Sequence, residues 1–254
     1  MNKLIDSHIH LDLYNAQEIG LIMKGVEAIE ALISVSFDLN SCKRNLELAG
    51  TYKKVKPAFG YHPEQPLLDE AEVQKLFRWI HHNHEKMIAV GEVGLPYYSR
   101  KKYNIPLEGY IELLENFVKL AKELDMPIVL HAVYEDAPVV CDLLEKHSIS
   151  RAHFHWFKGD LVTTERIAQN GYFISVTPDI VYEKEIQTLA ERFPIEQLMV
   201  ETDGPWPFEG PFKGQMTHPY MIKESAKVIA QIKGVSIDQA EKQLNINTRL
   251  LYAL

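Results

Sequence analysis

Eight short apolar runs, separated by longer amphipathic stretches, constrain this chain more than any other feature. They are KLIDSHIH (3–10), LISVSF (32–37), KPAFGYH (56–62), IAVGEVGL (88–95), PIVLHA (127–132), AHFHWF (152–157), YFISV (172–176) and LMVETD (198–203). Several are nearly all apolar at their start, as strands buried on both faces should be. Between them, Glu70–His84, Leu107–Leu124 and Lys184–Arg192 carry apolar residues at helical spacing, and Pro127 ends the second of these. Tyr220–Lys233 predicts a helix closed by Gly234, and Ser236 is the expected N-cap of a last helix reaching Leu254. Eight strands alternating with helices in 254 residues predict an α/β fold, a (β/α)8 TIM barrel. A doubly wound open sheet competes, but no G-x-G-x-x-G follows the first run. There is no Gly/Ser linker and no break in composition, so residues 1–254 read as one domain.

The polar residues keep one position within these runs. Run 1 ends in His8-Ile9-His10, run 3 in Tyr61-His62-Pro63, and run 5 in Leu130-His131-Ala132. Run 4 carries Gly91-Glu92-Val93-Gly94, run 6 His153-Phe154-His155, and run 8 closes on Glu201-Thr202-Asp203. Barrel enzymes place their chemistry at the C-terminal ends of strands. Six of eight strand ends therefore bring ionisable or metal-binding groups to one rim. Residues two apart on a strand share a face, so His8 and His10 point together, which suits a metal better than a packed core.

H-x-H alone is a weak sign. Eleven histidines in 254 residues give roughly half such a pair by chance. The chain has three pairs: His8/His10, His82/His84 and His153/His155. His82 and His84 precede strand 4, on the opposite face of the barrel, and are expected as solvated surface residues. His153 lies deeper in its strand than His155 and is expected as a core histidine or one behind the site, hydrogen-bonded to a ligand, rather than as a ligand itself. Asp6 and Asp12 are expected in supporting or loop positions.

Composition excludes several classes. No stretch approaches a membrane span, and the N-terminus lacks the apolar core of a signal peptide. Cys42 and Cys141 stand alone, without C-x-x-C spacing, which suits a reduced cytoplasm. The formal net charge of −8 means that any phosphate substrate needs local help from lysines or bound cations.

In this order, DSHIHLD, GYHPE, GEVGLPYY, PIVLHA, HFHWFKG and VETDGPW resemble the TatD family of metal-dependent deoxyribonucleases, within the amidohydrolase-like barrels. The resemblance runs from Asp6 to the Asn-Thr-Arg-Leu-Leu-Tyr ending at Tyr252. It implies a TIM barrel of the metal-dependent hydrolase type that holds two divalent ions and hydrolyses DNA phosphodiesters. By motif it gives His8, His10 and Asp203 to a first metal, His131 and His155 to a second, and Glu92 to both. It sets Asp203 beside the attacking water and His62 against the substrate phosphate. The chain departs from the family in three places. Pro96 stands where an aspartate is common. Ala132-Val133-Tyr134 replaces a serine and arginine. GPWPFEGPFKGQMTHP (204–219) replaces a more basic loop.

Histidine-rich ligands favour zinc or manganese, whereas the resemblance implies magnesium. Asp203 is expected to take the water's proton and pass it to the leaving oxygen. Glu201 suits either a catalytic part or a buried ion pair. Ser99-Arg100-Lys101-Lys102 reads as a rim loop in which Arg100 attracts phosphate, or as a merely solvated one. Tyr97, Tyr98, Trp156 and Trp206 are expected in rim loops, stacking on bases or closing the barrel mouth. Lys53, Lys54 and Lys56 fall on the far face. The leading reading is a cytoplasmic, monomeric two-metal deoxyribonuclease. The alternatives are a two-metal hydrolase of another phosphoester, amide or lactone, and a non-catalytic scaffold.

Overall fold

The computed structural model describes residues 3–254; Met1 and Asn2 lie outside the described residues. The eight strands are β1 (Leu4–Ile9), β2 (Ile29–Ser34), β3 (Val55–Phe59), β4 (Ala89–Gly94), β5 (Ile128–His131), β6 (Ala152–Phe154), β7 (Phe173–Val176) and β8 (Leu198–Val200). They form one parallel sheet in sequence order. Two backbone bonds close it into a barrel: Asp203 N–H donates to the His8 carbonyl at 2.9 Å, and His10 N–H to the Gly204 carbonyl at 2.8 Å.

Among the described residues, ten α-helices surround the sheet: α1 (Ala16–Gly25), α2 (Leu39–Thr51), α3 (Glu70–Asn83), α4 (Tyr97–Tyr103), α5 (Glu108–Glu123), α6 (Ala137–Lys146), α7 (Leu161–Gln169), α8 (Lys184–Arg192), α9 (Ile222–Lys233) and α10 (Ile237–Tyr252). Their starts are chemically marked. Asn15, Asp69 and Ser236 each close a capping box, while Asp38 and Asp160 cap α2 and α7. Gly234 ends α9 in the left-handed conformation expected of it.

The strands sort their side chains by alternation. Leu4, Phe59, Val90, Leu130, Phe154, Ile174 and Val200 face the helices. Ile5, Ala58, Ala89, Val129, Phe173 and Met199 form a second cluster inside the barrel, together with Leu251 and Tyr252 from the end of α10. The last turn of α10 thus floors the barrel. Small alanines opposite large Phe173, Met199 and Tyr252 let the interior fill without voids.

In two strands the alternation slips. β1 shifts register between Asp6 and Ile9, and β4 between Val90 and Val93. Ile5 and Ala89 face inward below these shifts, and His8 and Glu92 face inward above them. Strict period-two spacing from Ile5 or Ala89 would have turned both side chains outward. An irregularity that re-aims a side chain is a common device beside active sites.

The segment 99–102 is helical, not a rim loop. The Glu64 carboxylate accepts the N–H groups of Tyr98 and Ser99 at 2.8 and 2.7 Å, satisfying the donors that open α4. Asn104, in the left-handed conformation, ends it.

Candidate metal centre

The strand ends converge on Glu92, which is fully buried in β4. Its two oxygens face different neighbours. Oε2 lies 3.2 Å from His8 Nε2 and 3.2 Å from His10 Nε2. The same two nitrogens lie 3.3 and 3.4 Å from Asp203 Oδ1. Oε1 lies 2.7 Å from His155 Nε2 and 3.0 Å from His131 Nδ1. One carboxylate thus stands between two sets of potential donors.

The first set bears the mark of a cation site. Among the described residues, His8 Nε2, His10 Nε2, Glu92 Oε2 and Asp203 Oδ1 are buried and make no hydrogen bond. A buried polar atom without a partner is costly. Here four such atoms face one another at 3.2–3.4 Å. Tetrahedral donors about 2.1 Å from one cation would be separated by about 3.4 Å. The donor set, two imidazoles and two carboxylates, suits a borderline divalent metal.

Each histidine of the second set has a carboxylate behind it. Glu64 Oε1 is 3.4 Å from His131 Nε2, on the side away from Glu92. Glu201 Oε1 is 3.5 Å from His155 Nδ1. Neither outer nitrogen makes a hydrogen bond, so each carboxylate acts there by its charge, favouring the proton on that nitrogen and leaving the inner lone pair free for a metal. Glu64, two residues past His62 within GYHPE, was not singled out in the sequence. Its signal was present, but its importance depends on α4 and His131, which only the fold brings together.

His62 reaches the same centre from just past β3, within range of Glu92 and His131. Its ring stacks on Phe37 with centroids 4.2 Å apart. Its Nδ1 accepts the Glu64 N–H at 3.2 Å, which leaves the proton of the neutral ring on Nε2. That nitrogen points into the centre, 3.4 Å from Glu92 Oε1. Burial is the main reason that His62 is pushed down to about 3, so the ring stays neutral. It is built as a hydrogen-bond donor toward the site.

Charges inside the centre are strongly coupled. Burial alone would lower His10, but the carboxylates of Asp203 and Glu92 outweigh it and raise the ring to about 9. His155 rises in the same way against burial, through Glu92 and Glu201. Against the penalty of burial, these imidazoles hold Glu92 and Asp203 below the usual carboxylate range. Asp6 lies beneath the first set and binds Thr202 twice, through its N–H at 2.9 Å and its hydroxyl at 2.6 Å. Burial still pushes Asp6 up to about 8.

His153 is fully buried in the barrel, as a core histidine, and bonds none of the converging donors directly. Its ring bonds the Tyr252 and Ser175 hydroxyls. Burial, then the His8 and His155 rings, holds it far below an ordinary histidine. His82 is exposed and His84 half-exposed. Asp12 accepts the Ser41 hydroxyl at 2.7 Å, off the centre.

Above the centre opens a cavity of about 600 Å³. Tyr98, Trp156, Trp206, Phe37, Val133 and Lys158 are among its walls. Tyr97 and Arg100 are not among its lining residues. Tyr97 packs on Tyr98 and Tyr134, and Arg100 is bound to the Asp136 carboxylate. Lys101 is likewise bound to Glu135.

A family model, "TatD related DNase", matches residues 5–253. An "uncharacterized metal-dependent hydrolase" of Haemophilus influenzae is 40% identical over 253 residues, covering 99% of this chain and 100% of its own. Deoxyribonuclease TATDN3 of Homo sapiens is 27% identical, with 98% of this chain and 94% of its own covered. The crystal structure of YJJV, a TatD homologue from Escherichia coli, superposes with a TM-score of 0.84 at 26% identity, covering 99% and 98%.

Proposed function

The chain belongs to the TatD-related DNase family of metal-dependent hydrolases, and from that premise we propose that it hydrolyses DNA phosphodiesters at a centre of two divalent ions. The observation that carries this reading is Glu92, each of whose oxygens faces a separate set of donors. His8, His10 and Asp203 would hold one ion, His131 and His155 the other, with Glu92 shared. When bound, zinc, manganese or magnesium ions there supply Lewis acidity and neutralise charge on a phosphate.

This chain's own residues do the rest. Asp203 takes a proton from the attacking water and returns it to the leaving oxygen. His62 donates its Nε2–H to a phosphate oxygen, a role that suits a ring held neutral by burial. Tyr98, Trp156 and Trp206 offer aromatic faces on which bases stack, which requires no sequence preference. Lys158, on the cavity wall, contributes positive charge to an otherwise acidic protein. Arg100 acts at second hand in this reading, through α4 and Asp136, and Tyr97 supports Tyr98 from behind.

Residues 1–254 would act as one catalytic domain and as a monomer. Among the described residues no helix is long and apolar enough to cross a membrane. Both cysteines are buried and free, in keeping with the reducing cytoplasm proposed as its location.

The test joins metal content to activity. Bound metals are counted, and a labelled single-stranded DNA is assayed with EDTA and with added zinc, manganese or magnesium, beside Glu92→Ala. Cleavage that EDTA and the variant both abolish supports the reading. Metal binding without cleavage, while a simple phosphodiester is turned over, keeps the centre and removes DNA as its substrate.

A further inference from the structure

Between the apolar floor of the barrel and the metal centre lies a thin polar layer: His153 on β6, Ser175 on β7 and Glu201 just past β8. All three are fully buried. We propose that His153, Ser175 and Tyr252 are positioning residues that hold Glu201 against His155 and thereby tune the second metal position from beneath. This inference rests on the reading that His131 and His155 hold a cation.

The hydrogen bonds form one chain. The Ser175 hydroxyl donates to Glu201 Oε2 at 2.5 Å. Having used its only proton, Ser175 Oγ must accept from His153 Nε2, also at 2.5 Å. The other ring nitrogen, Nδ1, is hydrogen-bonded to the Tyr252 hydroxyl at 2.7 Å. Three hydrogen bonds thus link Tyr252 at the floor to Glu201 at the rim. The other oxygen of Glu201 accepts the Trp156 N–H at 2.7 Å and faces His155 Nδ1 at 3.5 Å. Trp156 carries φ 37°, a strained value for a bulky residue. That backbone conformation places its N–H on Glu201.

A buried network is worth building only when every member is satisfied. Here no polar atom of His153, Ser175, Glu201 or Tyr252 lacks a partner. An apolar pair at His153 and Tyr252 would fill the same space without protons to orient. The polar pair instead fixes Glu201 in one rotamer and lets it hold the Nδ1–H tautomer of His155, which presents Nε2 to the centre. It also ties the last turn of α10, through the barrel interior, to a ligand on the opposite rim.

The experiment uses the full chain with Ser175→Ala and Tyr252→Phe, and with His155→Ala to mark the second position. Zinc affinity is measured by equilibrium dialysis, the visible spectrum of the cobalt(II) form is recorded, and metal-free thermal melts read the fold. Ser175→Ala should weaken by about 10–100-fold the same metal equivalent that His155→Ala removes. The other equivalent should keep its affinity, and the cobalt spectrum should shift. Tyr252→Phe should act in the same direction to a smaller extent. Wild-type affinity and spectrum in both variants would overturn the proposal alone. So would equal weakening of both equivalents alongside a lowered metal-free melt, since that is a purely structural effect. A wild-type chain that takes up no second equivalent would overturn it together with the two-metal reading.

Discussion

Stripping the metals should cost this protein a readable part of its stability. Four atoms of the first set, His8 Nε2, His10 Nε2, Glu92 Oε2 and Asp203 Oδ1, are buried without hydrogen bonds. A buried unsatisfied polar atom costs about 1–3 kcal/mol, so the metal-free set carries a burden of at most about 4–12 kcal/mol, part of which the attraction between imidazoles and carboxylates offsets. Mass action gives a second figure. A ligand at a thousand times its dissociation constant stabilises the fold by about 4 kcal/mol. The two figures meet at about 4 kcal/mol. At about 2–4 °C per kcal/mol for a chain of this size, the melting temperature should rise by about 8–16 °C on reloading. The assay is circular dichroism of EDTA-stripped protein titrated with zinc or manganese. His8→Ala and Glu92→Gln should flatten the response, because each breaks the first set. No shift in the wild type, or an equal shift in both variants, would refute the reasoning: the four atoms would then not be a cation site.

Four further outcomes follow from the geometry. Metal uptake at pH 7 should release protons and tighten as pH rises toward 9, because His10 is raised to about 9 before metal displaces its proton; calorimetry in buffers of different ionisation enthalpy reads the release. Asp6 is raised to about 8, so the folded state keeps a proton that the unfolded chain loses near 3.8. The metal-free wild type should therefore lose stability between pH 4 and 8, by on the order of 5 kcal/mol from this group, and Asp6→Asn should flatten that slope in urea melts. Gly94→Ala would set a β-carbon 2.0 Å from the His131 carbonyl oxygen, so it should lower the melting temperature and weaken metal binding together. His62→Ala should lower kcat/KM on DNA by about 100-fold, as loss of a site hydrogen-bond donor does, with metal stoichiometry unchanged in dialysis.

All eight strands were legible because a strand buried on both faces must be apolar, and Ala89–Gly94 or Ile128–His131 can be little else. Their ends were less sharp: β2 begins at Ile29, three residues before the apolar run chosen for it. The helix over 184–192 matched because its apolar stripe is regular. α4 was missed because its cap, Glu64, lies more than thirty residues earlier in the chain. The convergence of His8, His10, Glu92, His131, His155 and Asp203 could be expected from strand ends and motifs together. The facing of His8 and Glu92 could not, since it depends on two register shifts that leave no composition signal. Glu64 behind His131 and Tyr252 beneath His153 were hidden for a related reason. Each becomes meaningful only through a partner that the closed barrel supplies.

The seam of the barrel gives the metal a second part to play. β1 and the segment after β8 meet through the His8–Asp203 and His10–Gly204 backbone bonds, and through Asp6 and Thr202, which are 196 residues apart in the chain. His8, His10 and Asp203 lie on that same seam. A cation gripping all three closes a loop of nearly the whole protein. The entropy of such a closure grows with the logarithm of loop length and reaches about 5 kcal/mol at this separation. The ion would then act as a clasp as well as a reagent. Without it the first and last strands are the place where the barrel parts, and the amides of His10 and Asp203 should be among the first of the buried set to exchange with solvent.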